Sequence, residues 1–230
     1  VEHAGSQGRY NSLIKMDGDT YLLAFASPGD DGFIKTFTVS SNGADITQVS
    51  AVEHAGSQGR YNSLIKMDGD TYLLAFAGPS DDGFLKTFTI PDDGSSITAV
   101  ISLEHNTVNG IWNSVVQVDY NTYALAYHGY DTNDEYGFIQ TFTIPLDGST
   151  ITEVASQKFA TTANYGTYNS FIKLNSDEYA LAYRGDGEDG YVKTFTISAD
   201  GETITELWSL EHDQDRAHWN ELIQIDKNTF

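Results

Sequence analysis

Residues 1–26 recur without a change as residues 52–77, an offset of 51. A chain that repeats itself at such a spacing folds as an array of like units, each too small to bury its apolar face without a neighbour. The pattern continues with substitutions and divides the sequence into units 1–51, 52–102, 103–156 and 157–209, with a partial fifth at 210–230. All 230 residues therefore read as a single repeat domain.

Within each unit the side chains alternate with a period of two. Tyr21, Leu23 and Phe25 share one face, and Leu22, Ala24 and Ala26 share the other. The third unit repeats this as Tyr123, Leu125 and Tyr127 against Ala124 and Ala126, and the fourth as Tyr179, Leu181 and Tyr183 against Ala180 and Ala182. A sheet with large residues on one face and small ones on the other can stack on copies of itself, bulk against gap. Three further strands are predicted per unit, at 12–17, 33–39 and 46–52 in the first, so each unit is a four-stranded sheet. Nothing in the sequence has the 3.6-residue period of a helix.

Asp17-Gly18-Asp19-Thr20 and Pro91-Asp92-Asp93-Gly94 are compact turns that join adjacent strands. The one long link, residues 53–62 and its equivalents, can cross from the outer edge of one sheet to the inner strand of the next. That order makes 12–17, 63–68, 114–119, 170–175 and 221–226 the innermost strands. The polar strand at 46–52 becomes outermost, where polar residues discourage pairing with other chains.

Four-stranded units linked outer to inner, carrying Tyr/Trp-Asn-Ser/Glu, Tyr-x-Leu-Ala-Phe/Tyr, Gly-Phe/Tyr and Thr-Phe-Thr, resemble the blades of a β-propeller. The resemblance covers the whole chain and implies an all-β propeller, or propeller segment, of four-stranded antiparallel blades, four complete and a fifth partial. The sequence lacks the signatures of WD40, integrin-type and sialidase-like propellers. Its ends do not close a ring: 221–226 is an inner strand without partners, and Val1-Glu2-His3 is the stub of an outer strand. Either the array continues in a longer protein, or the orphan strand pairs with another molecule.

Twelve basic residues stand against 33 acidic ones, a net charge of −21. Such a surface repels phosphate backbones and anionic lipid, so nucleic acid is excluded as a partner. The longest apolar run is six residues, 21–26, far short of the roughly 20 that span a membrane. The absence of cysteine removes thiol chemistry and disulfides, and with the acidity and the turn-rich repeats it points to an extracellular or cell-surface home.

An aromatic residue followed by Asn occurs once per unit, as Tyr10-Asn11, Tyr61-Asn62, Trp112-Asn113, Tyr168-Asn169 and Trp219-Asn220. Aromatic platforms beside amides suit carbohydrate, the ring stacking on a sugar face while the amide takes hydroxyls. The same pattern also serves architecture, with the aromatic plugging the gap between sheets and the Asn tying its loop to the backbone. A second loop, expected at the same end of each sheet, carries Asp30, Asp31, Asp81, Asp82, Asp186 and Asp189 beside glycines. Carboxylates on such loops are ligands for calcium, and equally they are ordinary turn residues. No cofactor is required by either reading. His3, His54, His105 and His212 occupy one repeated position that Phe159 fills in the fourth unit, which predicts a partly exposed edge residue; His128 and His218 lie outside the pattern.

Near-identical units and only four arginines argue against the asymmetric constellation that catalysis needs. The sequence therefore predicts no enzyme, but a multivalent binding module for carbohydrate or another protein. The alternative is a structural element whose unpaired terminal strands join chains head to tail into a ring or filament.

Overall fold

A computed structural model describes residues 2–5, 7–226 and 229. The described residues form sixteen strands and no α-helix: β1 (Arg9–Lys15), β2 (Thr20–Ala26), β3 (Gly32–Val39), β4 (Ile46–Ala55), β5 (Arg60–Asp68), β6 (Thr71–Ala77), β7 (Gly83–Thr89), β8 (Thr98–Asn106), β9 (Gly110–Asp119), β10 (Thr122–Tyr130), β11 (Glu135–Thr143), β12 (Thr152–Ala160), β13 (Thr167–Lys173), β14 (Glu178–Arg184), β15 (Gly190–Ile197) and β16 (Ile204–Asp213). They pair in sequence order into four antiparallel four-stranded sheets, the blades of a β-propeller fold. The chain divides into two compact units. The first holds blades 1 and 2 (residues 1–107) with the β11–β12 turn (145–151); the second holds the rest of 108–230, with blades 3 and 4.

Alternation of large and small side chains makes the core. In the first unit, Leu22, Ala24 and Ile34 of blade 1 pack against Tyr72, Leu74, Phe76 and Phe88 of blade 2. In the second, Ala124, Ala126 and Ile139 of blade 3 receive Tyr179, Leu181, Tyr183 and Phe195 of blade 4. The small face of one sheet thus accepts the bulk of the next, which is how stacked repeats reach interior packing density.

Two hydrogen-bond latches recur between blades. The first threonine of the Thr-Phe-Thr in blades 1, 2 and 3 is fully buried. Thr36 Oγ1 donates to the carbonyl of Gly94 at 2.7 Å, Thr87 to that of Gly148 at 2.8 Å and Thr141 to that of Gly201 at 2.7 Å. Each glycine is at positive φ in a β-hairpin turn of the following blade. The same hydroxyls accept from the bulged outer strand, as Thr36 Oγ1 does from Ser50 N at 3.0 Å. At the inner strands, Leu64 N donates to Ser12 Oγ at 3.0 Å and Phe171 N to Ser114 Oγ at 2.9 Å.

Three sequence expectations change. Inner strands begin at Arg9, not Ser12, because a one-residue bulge lets Arg9 pair with Ala26 while Ser12 pairs with Ala24. The outer strand runs on to Ala55, paired with Gly32. Residues 221–225 form no strand, and Asp226 forms an isolated bridge with Thr229. That segment still takes an inner strand's place beside β13, with Leu222 N donating to Ser170 Oγ at 2.8 Å and Gln224 Nε2 to the Leu174 carbonyl at 2.7 Å. The cover expected for it is not supplied by the described residues, since Ile223 and Ile225 are 68% and 75% exposed. At the other end, Val1 lies outside the described residues, and Glu2 and His3 are not in a strand.

Candidate functional site

Each of the four inner strands enters its sheet through the bulge, and the bulged residue is the repeated aromatic; Trp219 holds the equivalent position ahead of 221–225. Tyr10, Tyr61, Trp112, Tyr168 and Trp219 all hold a left-handed backbone, with φ between 53° and 60°. For a bulky side chain that conformation costs roughly 1–2 kcal/mol, so five repetitions are a feature of the design of the blade. The kink turns the ring out of the alternation of the strand. In the first unit Tyr10 and Tyr61 then meet at 4.4 Å between centroids. In the second, Trp112 lies 3.8 Å from Tyr168 and 5.9 Å from Trp219, and Tyr168 lies 5.3 Å from Trp219. Each unit thus carries a contiguous aromatic row, half-buried except at Trp219, which is 73% exposed. Burial, together with a hydrogen bond to Tyr10, pushes the Tyr61 phenol well above its ordinary pKa, so it remains a neutral hydroxyl.

The asparagines face their own backbone. Asn62 Nδ2 donates to the carbonyls of Gly59 at 2.8 Å and Tyr10 at 3.2 Å; Asn113 Nδ2 donates to Gly110 at 2.9 Å and Asn11 Nδ2 to Gly8 at 3.3 Å. Asn169 Nδ2 reaches the Trp112 carbonyl at 3.0 Å and Asn220 Nδ2 the Tyr168 carbonyl at 3.3 Å. The amide therefore clamps the bulge and ties it to the aromatic of the preceding blade. The Nδ2 donors of the amides are thus engaged with the backbone.

The acidic loops do come to the same end as the aromatics, where arginines meet them. Arg60 pairs with Asp81 at 2.7 Å and Arg9 with Asp30 at 3.8 Å, while Glu188 takes both Arg184 and Arg216. Arg184 also lies 5.8 Å from the ring centre of Tyr168. Partial desolvation and the charges of Glu211, Asp186, Asp213 and Asp215 raise the pKa of Asp189. Asp31 and Asp82 immediately precede the third strands of their blades, without an ion pair among the described residues. Among those residues no group of three or more His, Asp or Glu is gathered closely enough to hold a metal ion.

The repeated histidine is a plug rather than an edge residue where it is best packed. His54 is 5% exposed, edge-on to Phe76 at 4.7 Å, and a Cβ on Gly32 would lie 2.4 Å from its ring. Burial, with Lys86 nearby, lowers its pKa to about 3. Phe159 sits the same way against Tyr183 at 4.9 Å, so an apolar ring satisfies the position. His128, unassigned in the sequence, is 3% exposed and bonded to Glu135 Oε2 at 3.1 Å and to the Tyr165 carbonyl at 3.2 Å. His218 packs on Tyr168 at 4.9 Å, at the edge of the aromatic row.

No protein-family model matches the chain, and no curated protein matches it in sequence. Solved structures do match in fold. A candidate 6-phosphogluconolactonase from Bacteroides fragilis superposes with a TM-score of 0.63 at 16% identity, over 90% of this chain and 56% of that one. The Nup133 β-propeller domain of Vanderwaltozyma polyspora gives 0.58 at 9% identity, over 89% and 63%. The GH93 α-L-arabinofuranosidase of Fusarium graminearum, in complex with arabinobiose, gives 0.54 at 16% identity, over 87% and 66%. The chain spans 56–66% of the length of these structures. At such identities the likeness shows the β-propeller fold. It also corrects the expectation that the chain is no enzyme, because several of the solved structures that share its fold are described as enzymes, and repeated blades are therefore no argument against catalysis. Among the described residues no helix is long and apolar enough to cross a membrane.

Proposed function

We propose that the chain is a carbohydrate-recognising repeat protein that holds sugar rings on its aromatic rows, with like contact surfaces repeated from blade to blade. One observation carries this reading: five bulky aromatics share a left-handed conformation that strands ordinarily avoid. Backbone strain of that kind persists where the fold over-determines it, and it concentrates at ligand sites. Half-buried rings offer area for stacking at small conformational cost, because the Asn clamps already fix them. The arabinobiose complex of the GH93 enzyme supports the reading at the level of fold. Weak contacts to single blades add through multivalency.

Isothermal titration calorimetry of the intact chain against a panel of neutral oligosaccharides tests it. Trp112→Ala and Tyr168→Ala are expected to weaken the binding at least tenfold, about 1.4 kcal/mol. A reducing-end assay on the same samples reports whether any bound sugar is cleaved. Binding that survives both substitutions, or its absence across the panel, contradicts the reading.

Exposure of Ile223 and Ile225 favours a second reading, in which chains associate through the 221–226 segment. That contact would be head to tail, since the segment itself already lies along β13. Light scattering of Ile223→Ser/Ile225→Ser against the parent chain decides it: a lower mass supports association, and an unchanged mass removes it.

A further inference from the structure

Away from the aromatic rows, blades 1, 2 and 4 each contain a cavity in the same place, of about 180, 170 and 200 Å³. Each lies where the incoming link crosses a stacked aromatic pair: Phe25 and Phe33 at 5.9 Å, Phe76 and Phe84 at 5.4 Å, Tyr183 and Tyr191 at 5.6 Å. A lysine lines each one, and its Nζ donates to the link. Lys35 reaches the His3 carbonyl at 2.8 Å, Lys86 that of His54 at 3.0 Å and Lys193 that of Phe159 at 2.9 Å. One donor of each ammonium is thereby used and the cation is held in place.

The blades differ in what neutralises that cation. In blade 4, Glu206 places its carboxylate on Lys193 at 2.8 Å. Glu206 pairs across the sheet with Phe195; the corresponding partner is Gln48 opposite Phe37 in blade 1 and Ala99 opposite Phe88 in blade 2. Neither can supply a charge. Among the described residues Lys35 and Lys86 have no carboxylate partner, in a chain with 33 acidic residues and only 12 basic ones. Burial lowers the pKa of Lys86, which an arriving anion would reverse.

We infer that the cavities of blades 1 and 2 bind a carboxylate carried on a small ring, the carboxylate on Lys35 or Lys86 and the ring against the paired phenylalanines. In blade 4 the ammonium is already neutralised by Glu206, which reaches Lys193 from outside the residues that line the cavity. The volume selects the size of the ligand: pockets for drug-sized molecules run to roughly 300–1,000 Å³, so these admit a single ring. An ammonium already fixed by a carbonyl and backed by aromatic faces gives a charge-assisted contact that the flexible lysines of the surface do not. These sites share no residue with the aromatic rows, so they stand or fall independently of the function proposed above.

Backbone amide NMR of the intact chain at physiological salt, titrated with glucuronate, benzoate and glucose, tests the inference; that salt confines the repulsion of the acidic surface to about 8 Å. Either carboxylate is expected to shift the amides of Ala4, Gly5, Ala55 and Gly56, and glucose is not. Glucuronate acting alone assigns a sugar acid, and benzoate alone an aromatic acid. Lys35→Gln/Lys86→Gln should weaken the response at least tenfold. Glu206→Gln, which leaves both lysines intact, should create a new response at Ala160 and Thr161. Equal shifts with glucose, no response to either acid, or a Glu206→Gln chain without the added site would overturn it.

Discussion

At the scale of single residues, the decisive feature is one that no side chain announces. The Tyr/Trp-Asn pair is legible in the sequence as a repeated motif, but nothing in a tyrosine predicts positive φ. The conformation arises because the bulge inserts a residue that the neighbouring strand cannot pair. If it is strained, Tyr168→Gly should be more stable than Tyr168→Ala by roughly 1 kcal/mol in denaturant unfolding, although glycine normally weakens a strand. Equal stabilities would mean that the backbone there is relaxed. The histidine position shows a different limit, because its burial depends on glycines from neighbouring loops. His54 and His105 have folded-state pKa values lowered from 6.5 to about 3, chiefly by burial. Between these values the unfolded chain binds more protons than the folded one. Their contribution to stability is therefore complete above about pH 6.5 and is lost as the pH falls toward 3, at up to roughly 1.4 kcal/mol per pH unit for each histidine. His54→Phe, copying Phe159, should fold and should flatten part of that slope in urea titrations between pH 7 and 4. An unchanged slope would assign the acid sensitivity to other groups.

At the scale of elements, alternation gave the strands and their order, because a period of two with unequal faces has only one way to stack. Strand ends were less legible: β1 and β4 extend past their apolar pattern through backbone pairing alone, as Arg9 with Ala26 and Ala55 with Gly32. The threonine latch is visible in the sequence as Thr-Phe-Thr, a pattern that announces a strand and nothing more. Its partner is a turn carbonyl 58 residues away, a distance at which sequence pattern says nothing. Thr36→Val should cost about 1–3 kcal/mol by leaving the Gly94 carbonyl and the Ser50 amide short of a partner. Gly94→Ala should be destabilising as well, since its φ is +67° and a Cβ would lie 2.9 Å from that of Thr36. Leu74→Ala, in the core between blades 1 and 2, should cost about 2–5 kcal/mol. Chemical denaturation measures all three, and a cost near zero at Leu74 would remove the inter-blade face from the core.

At the scale of the whole molecule, the exact repeat carried the fold class, because near-identical sheets linked outer to inner lead to propeller blades. Function was less accessible: repetition preserves a ligand contact and a packing contact alike, and only geometry separates the asparagine clamps from the rings they hold. Repetition also misled on catalysis, since near-identical blades still differ at single positions, as Glu206 does from Gln48 and Ala99 at the corresponding places of blades 1 and 2. The central claim is that the aromatic rows are the carbohydrate surface. Its most direct measurement uses the tryptophans: Trp112 and Trp219 lie in the second row, whereas Trp208 is on the outer strand β16. In a Trp208→Phe chain, titration with an oligosaccharide that binds in calorimetry should change tryptophan emission saturably, with the calorimetric Kd. Binding that leaves this emission unchanged would contradict the account.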